Sequence, residues 1–335
     1  MSATGVLTLA AGEWAAGFAG LAQADDVPAG ARRIPDERFR DLPDYPFAPH
    51  YARVEGARMH YVDEGRGAPV LLLHGEPTWS YLYRKFIPPI VRAGYRTIAP
   101  DHVGFGKSDK YIERASYTYD AHFRNLETLV FKRLQLNNIT LVCQDWGGLL
   151  GLPLVSKYPE RFARLVCMNT SFPGLVVPDD LKPNANRPPR GTWGANSQTI
   201  ISQLPSIGEF LRNSPGNGRR LSDDEVRAYS APFPDQASRV SALAFPRLIP
   251  PPPTVIDPTE VAAVLAKWDK PVLLMWGDAD GVFPIEVTGA ALHRVFTTSN
   301  APIRIDGGTH FVQESAPERL TAEILTFLRT RDAQK

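Results

Sequence analysis

Short apolar runs, each closed by a turn containing glycine or a carboxylate and followed by a helical stretch, recur along most of the chain. Leu71-Leu72-Leu73, Ile139-Thr140-Leu141-Val142-Cys143, Leu165-Val166-Cys167-Met168 and Val272-Leu273-Leu274-Met275-Trp276 read as buried strands, and Ile303-Arg304-Ile305 as the last one. Gly147 through Lys157 reads as an apolar helix, a further helix starts near Pro258, and Pro317 through Thr330 forms the final one. Strands alternating with helices predict an α/β fold, with a mostly parallel central sheet flanked by helices.

Between Ser171 and Asp235 the chain is Pro-, Asn- and Gly-rich in places. There Asn184-Ala185-Asn186-Arg187-Pro188-Pro189 and Asn213-Ser214-Pro215-Gly216-Asn217-Gly218 suggest loops between short helices. The chain therefore divides into an N-terminal extension over 1–33, expected to be disordered, and a main domain over 34–171 and 236–335. A helical cap over 172–235 interrupts that domain after the sixth strand. Pro250 through Pro253 make a stiff, extended connector. No internal repeat is visible.

Composition narrows the partners. At 335 residues and 43% hydrophobic content the chain can bury a large core, while a net charge of +1 without any basic stripe argues against nucleic acid. Cys143 and Cys167 both fall inside apolar strands and read as reduced core residues. Ala22-Gln23-Ala24 has the form of a cleavage site, but no Lys or Arg precedes Arg32 and Glu13 interrupts the apolar stretch. A cytoplasmic monomer that needs neither membrane nor cofactor nor metal is expected.

The chemistry centres on Gln144-Asp145-Trp146-Gly147-Gly148. A residue at such a strand-to-helix turn is pushed out at the top of the sheet, where G-x-S-x-G hydrolases present a serine. Here the presented group is Asp145, a carboxylate already ionised at neutral pH. It attacks amides and esters poorly but suits a saturated carbon bearing a good leaving group. Partners follow in the order nucleophile, acid, histidine. Asp280 follows a strand and precedes apolar Gly281-Val282-Phe283-Pro284, whereas Asp278 sits in the turn and reads as its cap. His310 follows the last strand within Gly307-Gly308-Thr309-His310 and reads as the base. His50, His60, His102, His122 and His293 read as surface or satisfied core residues. The turn His74-Gly75-Glu76 offers the backbone N–H of Glu76, beside that of Trp146, as an oxyanion hole. The Glu76 carboxylate reads as a buried, hydrogen-bonded strut.

At these motifs the chain resembles the haloalkane dehalogenases of the α/β-hydrolase fold. The resemblance rests on His74-Gly75-Glu76-Pro77-Thr78-Trp79-Ser80-Tyr81-Leu82-Tyr83-Arg84, Gly104-Phe105-Gly106-Lys107-Ser108-Asp109, the Asp145 elbow and His310-Phe311-Val312-Gln313-Glu314. Glu76 and Asn169 point to the subfamily that uses a second tryptophan and an acid after the late strand. The resemblance implies that Asp145 displaces halide from a small halogenated aliphatic substrate, and that water activated by His310, oriented by Asp280, releases an alcohol. It also implies two indole N–H donors to the halide, Trp146 and, from the cap, Trp193, the only tryptophan between Phe172 and Ala266. Two alternatives stand beside it. An epoxide hydrolase would share the triad but needs ring-opening cap tyrosines, and the cap offers only Tyr229; a non-catalytic ligand-binding protein of the same fold would have been free to lose the triad.

Overall fold

The computed structural model describes residues 26–182, 201–213, 219–248 and 255–332. Eight strands form the main sheet: β1 (His50–Val54), β2 (Ala57–Glu64), β3 (Pro69–Leu73), β4 (Arg96–Pro100), β5 (Ile139–Asp145), β6 (Phe162–Thr170), β7 (Val272–Gly277) and β8 (Ile303–Ile305). Their order across the sheet is β8-β7-β6-β5-β3-β4-β2-β1. Only β2 runs against its neighbours, β1 and β4; every other pairing is parallel. Parallel neighbours require crossovers, and these carry the helices.

Six helices matter below: α1 (Ile87–Arg92), α2 (Tyr119–Glu127), α3 (Trp146–Lys157), α4 (Asp223–Ser230), α5 (Pro258–Leu265) and α6 (Pro317–Asp332). α3 packs against α2, α5 and strands β3, β5 and β6, while α1 meets α6. Strand β5 lies between β3 and β6 and is buried at every position, Thr140, Gln144 and Asp145 included. α3 is almost as deeply buried and carries Pro153 in its interior. Pro153 has no N–H to give the Leu149 carbonyl, and the Tyr119 hydroxyl donates to that carbonyl instead, at 2.6 Å. At the start of α5, where the sequence places a helix start, Pro258 occupies the first turn, and the Asp257 side chain accepts from Thr259 N.

The folded chain reaches back to Ala31–Arg32, which pairs antiparallel with Lys110–Tyr111. Arg32 and Arg33 then pair with Asp235 and Asp109. In the described part of the cap, α4 begins with a reciprocal capping box between Ser222 and Glu225 and packs on a short helix, Ile207–Leu211. The loop at 184–189, most of that at 213–218 and the connector at 250–253 fall outside the described residues. No described helix is long and apolar enough to cross a membrane.

Candidate active site

Asp145 ends β5 and opens α3 with φ 51° and ψ −122°, a conformation that L-residues rarely adopt. Such strain costs on the order of 1–3 kcal/mol and persists only where neighbours over-determine it. The Asp145 carbonyl accepts from Thr170 Oγ1 at 2.6 Å, and the following turn passes so close to β3 that a Cβ on Gly147 would stand 2.1 Å from the Leu73 carbonyl oxygen. The side chain is fixed as firmly. Asp145 Oδ1 accepts the Glu76 backbone N–H at 2.8 Å, and a Cβ on Gly75 would sit 2.4 Å from that same oxygen.

The loop after β8 brings His310 over this carboxylate. Its Nε2 lies 3.3 Å from Asp145 Oδ2, and its Nδ1 lies 3.2 Å from Asp280 Oδ2. Phe283 and Phe311 flank the ring. Asp280, in the loop after β7, accepts at Oδ1 from Val282 N (2.7 Å) and Phe283 N (3.1 Å). The apolar stretch expected to bury Asp280 therefore also supplies two of its hydrogen bonds. Asp278 accepts instead from Gly307 N at 2.8 Å, so it ties the two loops together rather than capping its own turn.

Two residues that sequence reasoning gave no role complete the site. Asn169, the penultimate residue of β6, donates to Asp280 Oδ2 (2.8 Å) and to the Thr309 carbonyl (3.0 Å), and accepts from Gly277 N (2.9 Å). It thereby joins the loops of acid and base. Gln144, one residue before Asp145, places its amide nitrogen 3.2 Å from His310 Nε2 and 3.1 Å from the His310 carbonyl. The only local signal for either was a polar residue at the end of an otherwise apolar strand.

Glu76 corrects the strut reading: the residue is 5% exposed, yet Oε1 finds no hydrogen-bond partner among the described residues. Burial, then the neighbouring Asp145 charge, pushes its carboxyl well above the usual range. Nor is His122 a satisfied core histidine. Both its ring nitrogens lack partners among the described residues, and burial pushes it down to about 3. For His310, burial opposes the charged ring, but Asp280 and Asp145 outweigh it and raise the group to about 10.

The Trp146 ring packs against Phe245, centroids 4.5 Å apart, and no acceptor among the described residues takes its indole N–H. Trp193 lies outside the described residues. Among those residues no group of His, Cys, Asp and Glu could hold a metal ion. Cys143 and Cys167 are buried, free thiols on neighbouring strands, as read. The site thus offers a carboxylate at the crest of the sheet, a ring paired with it and with a second carboxylate, and a buried carboxyl whose Oε1 has no partner among the described residues. Such an arrangement can displace a leaving group from carbon and then direct water at the resulting ester.

The sheet order and the aspartate at its strand-to-helix crest define an α/β hydrolase, and the family model described as alpha/beta hydrolase fold matches residues 68–317. Within that class the chain belongs to the haloalkane dehalogenases, hydrolases acting on carbon–halide bonds. It is 41% identical over 313 residues to a haloalkane dehalogenase of Psychrobacter cryohalolentis, covering 88% of this chain and 97% of that protein. It is 37% identical over 307 residues to one of Mycolicibacterium paratuberculosis, covering 88% and 97%. The solved haloalkane dehalogenase DpaA of Paraglaciecola agarilytica, described as tetrameric, superposes with a TM-score of 0.76 at 35% identity, covering 88% and 97%.

Proposed function

We propose that this dehalogenase acts on short haloalkanes through an ester on Asp145. An Asp145 oxygen attacks the carbon bearing the halogen; the carbon–halogen bond breaks and its electrons leave on the halide, which the indole N–H groups of Trp146 and Trp193 receive. In the second step His310 takes a proton from water, and the hydroxide adds to the ester carbonyl. The Glu76 and Trp146 backbone N–H groups hold the developing oxyanion. Collapse releases the alcohol and restores Asp145, so the net reaction consumes one water and yields alcohol, halide and a proton.

The order of events fits the electrostatics. While Asp145 is ionised, His310 is held protonated, raised to about 10 and unable to act as a base. Esterification removes the Asp145 charge, His310 loses part of what held its proton, and the base becomes available when the ester needs it. The observation that carries this reading is the division of the Asp145 carboxylate, Oδ1 on the Glu76 N–H and Oδ2 toward His310.

Replacing His310 with Gln leaves the first step and blocks the second, so intact-protein mass after exposure to a bromoalkane gains one alkyl group. Unmodified protein beside an active wild-type control removes Asp145 from the mechanism. No observation favours the epoxide-hydrolase alternative. The Tyr229 hydroxyl donates to Glu314 at 2.6 Å and so is engaged with a carboxylate, away from the role of a ring-opening acid. The monomeric state and a cytoplasmic site of action belong to the same proposal, tested by light scattering and by cell fractionation.

A further inference from the structure

Gln144 is wholly buried beside the nucleophile, and the steps above give it no part. Its amide nitrogen donates to the His310 carbonyl, where an oxygen would instead meet another oxygen's lone pairs, and its Oε1 has no partner among the described residues. One amide hydrogen serves the carbonyl; the other faces the imidazole edge, 3.2 Å from Nε2. Only a neutral ring has a lone pair at Nε2 to accept it. An imidazolium would set N–H against N–H.

We propose that Gln144 is a positioning residue whose amide N–H meets the reacting edge of His310 and favours the neutral, proton-accepting ring once Asp145 has become an ester. The inference rests on the reading of His310 as the base. The groups facing the ring are Asp280 at Nδ1, Asp145 and Gln144 at Nε2, the Glu76 carboxyl, which feels the His310 charge, and the rings of Phe283 and Phe311. Asp145 and Asp280 favour the charged ring. Gln144 is the one described group at hydrogen-bond distance from the ring that favours the neutral form. In the free enzyme the carboxylates prevail; esterification silences Asp145 and leaves a single amide hydrogen bond able to shift the balance. The incoming water then takes over the Nε2 lone pair while Gln144 keeps hold of the carbonyl.

Gln144→Met keeps the side-chain length and removes the donor. Ester hydrolysis requires neutral His310, so its rate falls on the acid side of that group's titration. Without the donor the acid limb moves to higher pH by about half to one unit, roughly three- to tenfold in rate on that limb. Ester formation, followed by rapid quench and intact mass, keeps its rate. A uniform fall in ester hydrolysis with the limb unmoved means that Gln144 only packs, and overturns the inference. A second measurement needs no turnover. In Asp145→Asn protein, where the amide stands for the uncharged ester, His310 is titrated by NMR with and without Gln144→Ala; the added substitution raises the midpoint by a similar amount, and equal midpoints overturn the inference. His310→Gln separates the two levels. If it gathers no ester, the reading of the base falls; if it gathers ester while the limb stays put, only the role of Gln144 falls.

Discussion

The side chain of Asn169 shows how much of this site depends on the direction of single hydrogen bonds. Its amide gives donors to Asp280 and to the Thr309 carbonyl, and its oxygen accepts from Gly277. Asn169→Asp is nearly isosteric and keeps the acceptor. It turns both donor contacts into oxygen facing oxygen, one of them between two carboxylates, and neither can be relieved by solvent because Asn169 is fully buried. At roughly 1–3 kcal/mol for each unsatisfied buried group, the variant loses about 2–4 kcal/mol of unfolding free energy in urea titration. Its turnover falls at least tenfold, because the loops carrying Asp280 and His310 lose the tie through Asn169 and keep only that of Asp278 to Gly307. Asn169→Ala, which removes the conflict along with the contact, should be the milder of the two.

Elements, more than individual residues, were legible in the pattern. The strands ending at Asp145 and Thr170 and the final helix from Pro317 sit within a few residues of where the apolar runs place them. Asp145, Asp280 and His310 could be named because each stands in the loop or turn after its own strand, a local signal. Asn169 and Gln144 could not, since their partners lie 111 and 166 positions away and meet them only through the lateral order of the strands. The Glu76 carboxyl was hidden for a related reason: a motif shows that an acid is present, while the lack of a partner for its Oε1 among the described residues is a property of the assembled pocket. The β5–α3 elbow gives this scale its own prediction. Alanine favours a helix over glycine by about 1 kcal/mol, so Gly147→Ala would stabilise α3 in isolation. In the fold its Cβ would meet the Leu73 backbone carbonyl at 2.1 Å, and neither backbone segment can yield without moving the elbow. The overlap wins: both the melting temperature and turnover fall, and a variant as stable and active as the wild type would show that the elbow is not held against β3.

For the molecule as a whole, the question is what ties cap to sheet beside the base. Glu314, four positions after His310, is reached by Arg84 from the main domain and by Arg219 (3.0 Å) and Tyr229 (2.6 Å) from the cap. Glu225 at the start of α4 closes the network, accepting from Arg84 at 2.6 Å and Arg219 at 2.7 Å. Arg84 is 1% exposed, so the network cannot be treated as a surface ion pair of small worth. Removing one member leaves a buried charge short of its partner, which costs about 3–5 kcal/mol. Glu314→Gln is the cleanest probe because it preserves shape. Burial pushes the Glu314 carboxyl up, but Arg84, Tyr229 and Arg219 more than compensate and hold it below its ordinary value of 4.5. A depressed carboxyl contributes stability that is present above its unfolded value and lost as pH falls through the folded one. The wild type therefore gives up this increment on acidification, whereas the glutamine variant has none to lose. In urea unfolding, the gap between wild type and Glu314→Gln is widest near neutral pH and narrows below the ordinary carboxylate value of 4.5. A gap that stays constant across that range would mean that the charge on Glu314 contributes nothing and that the tie between cap and base is one of packing alone.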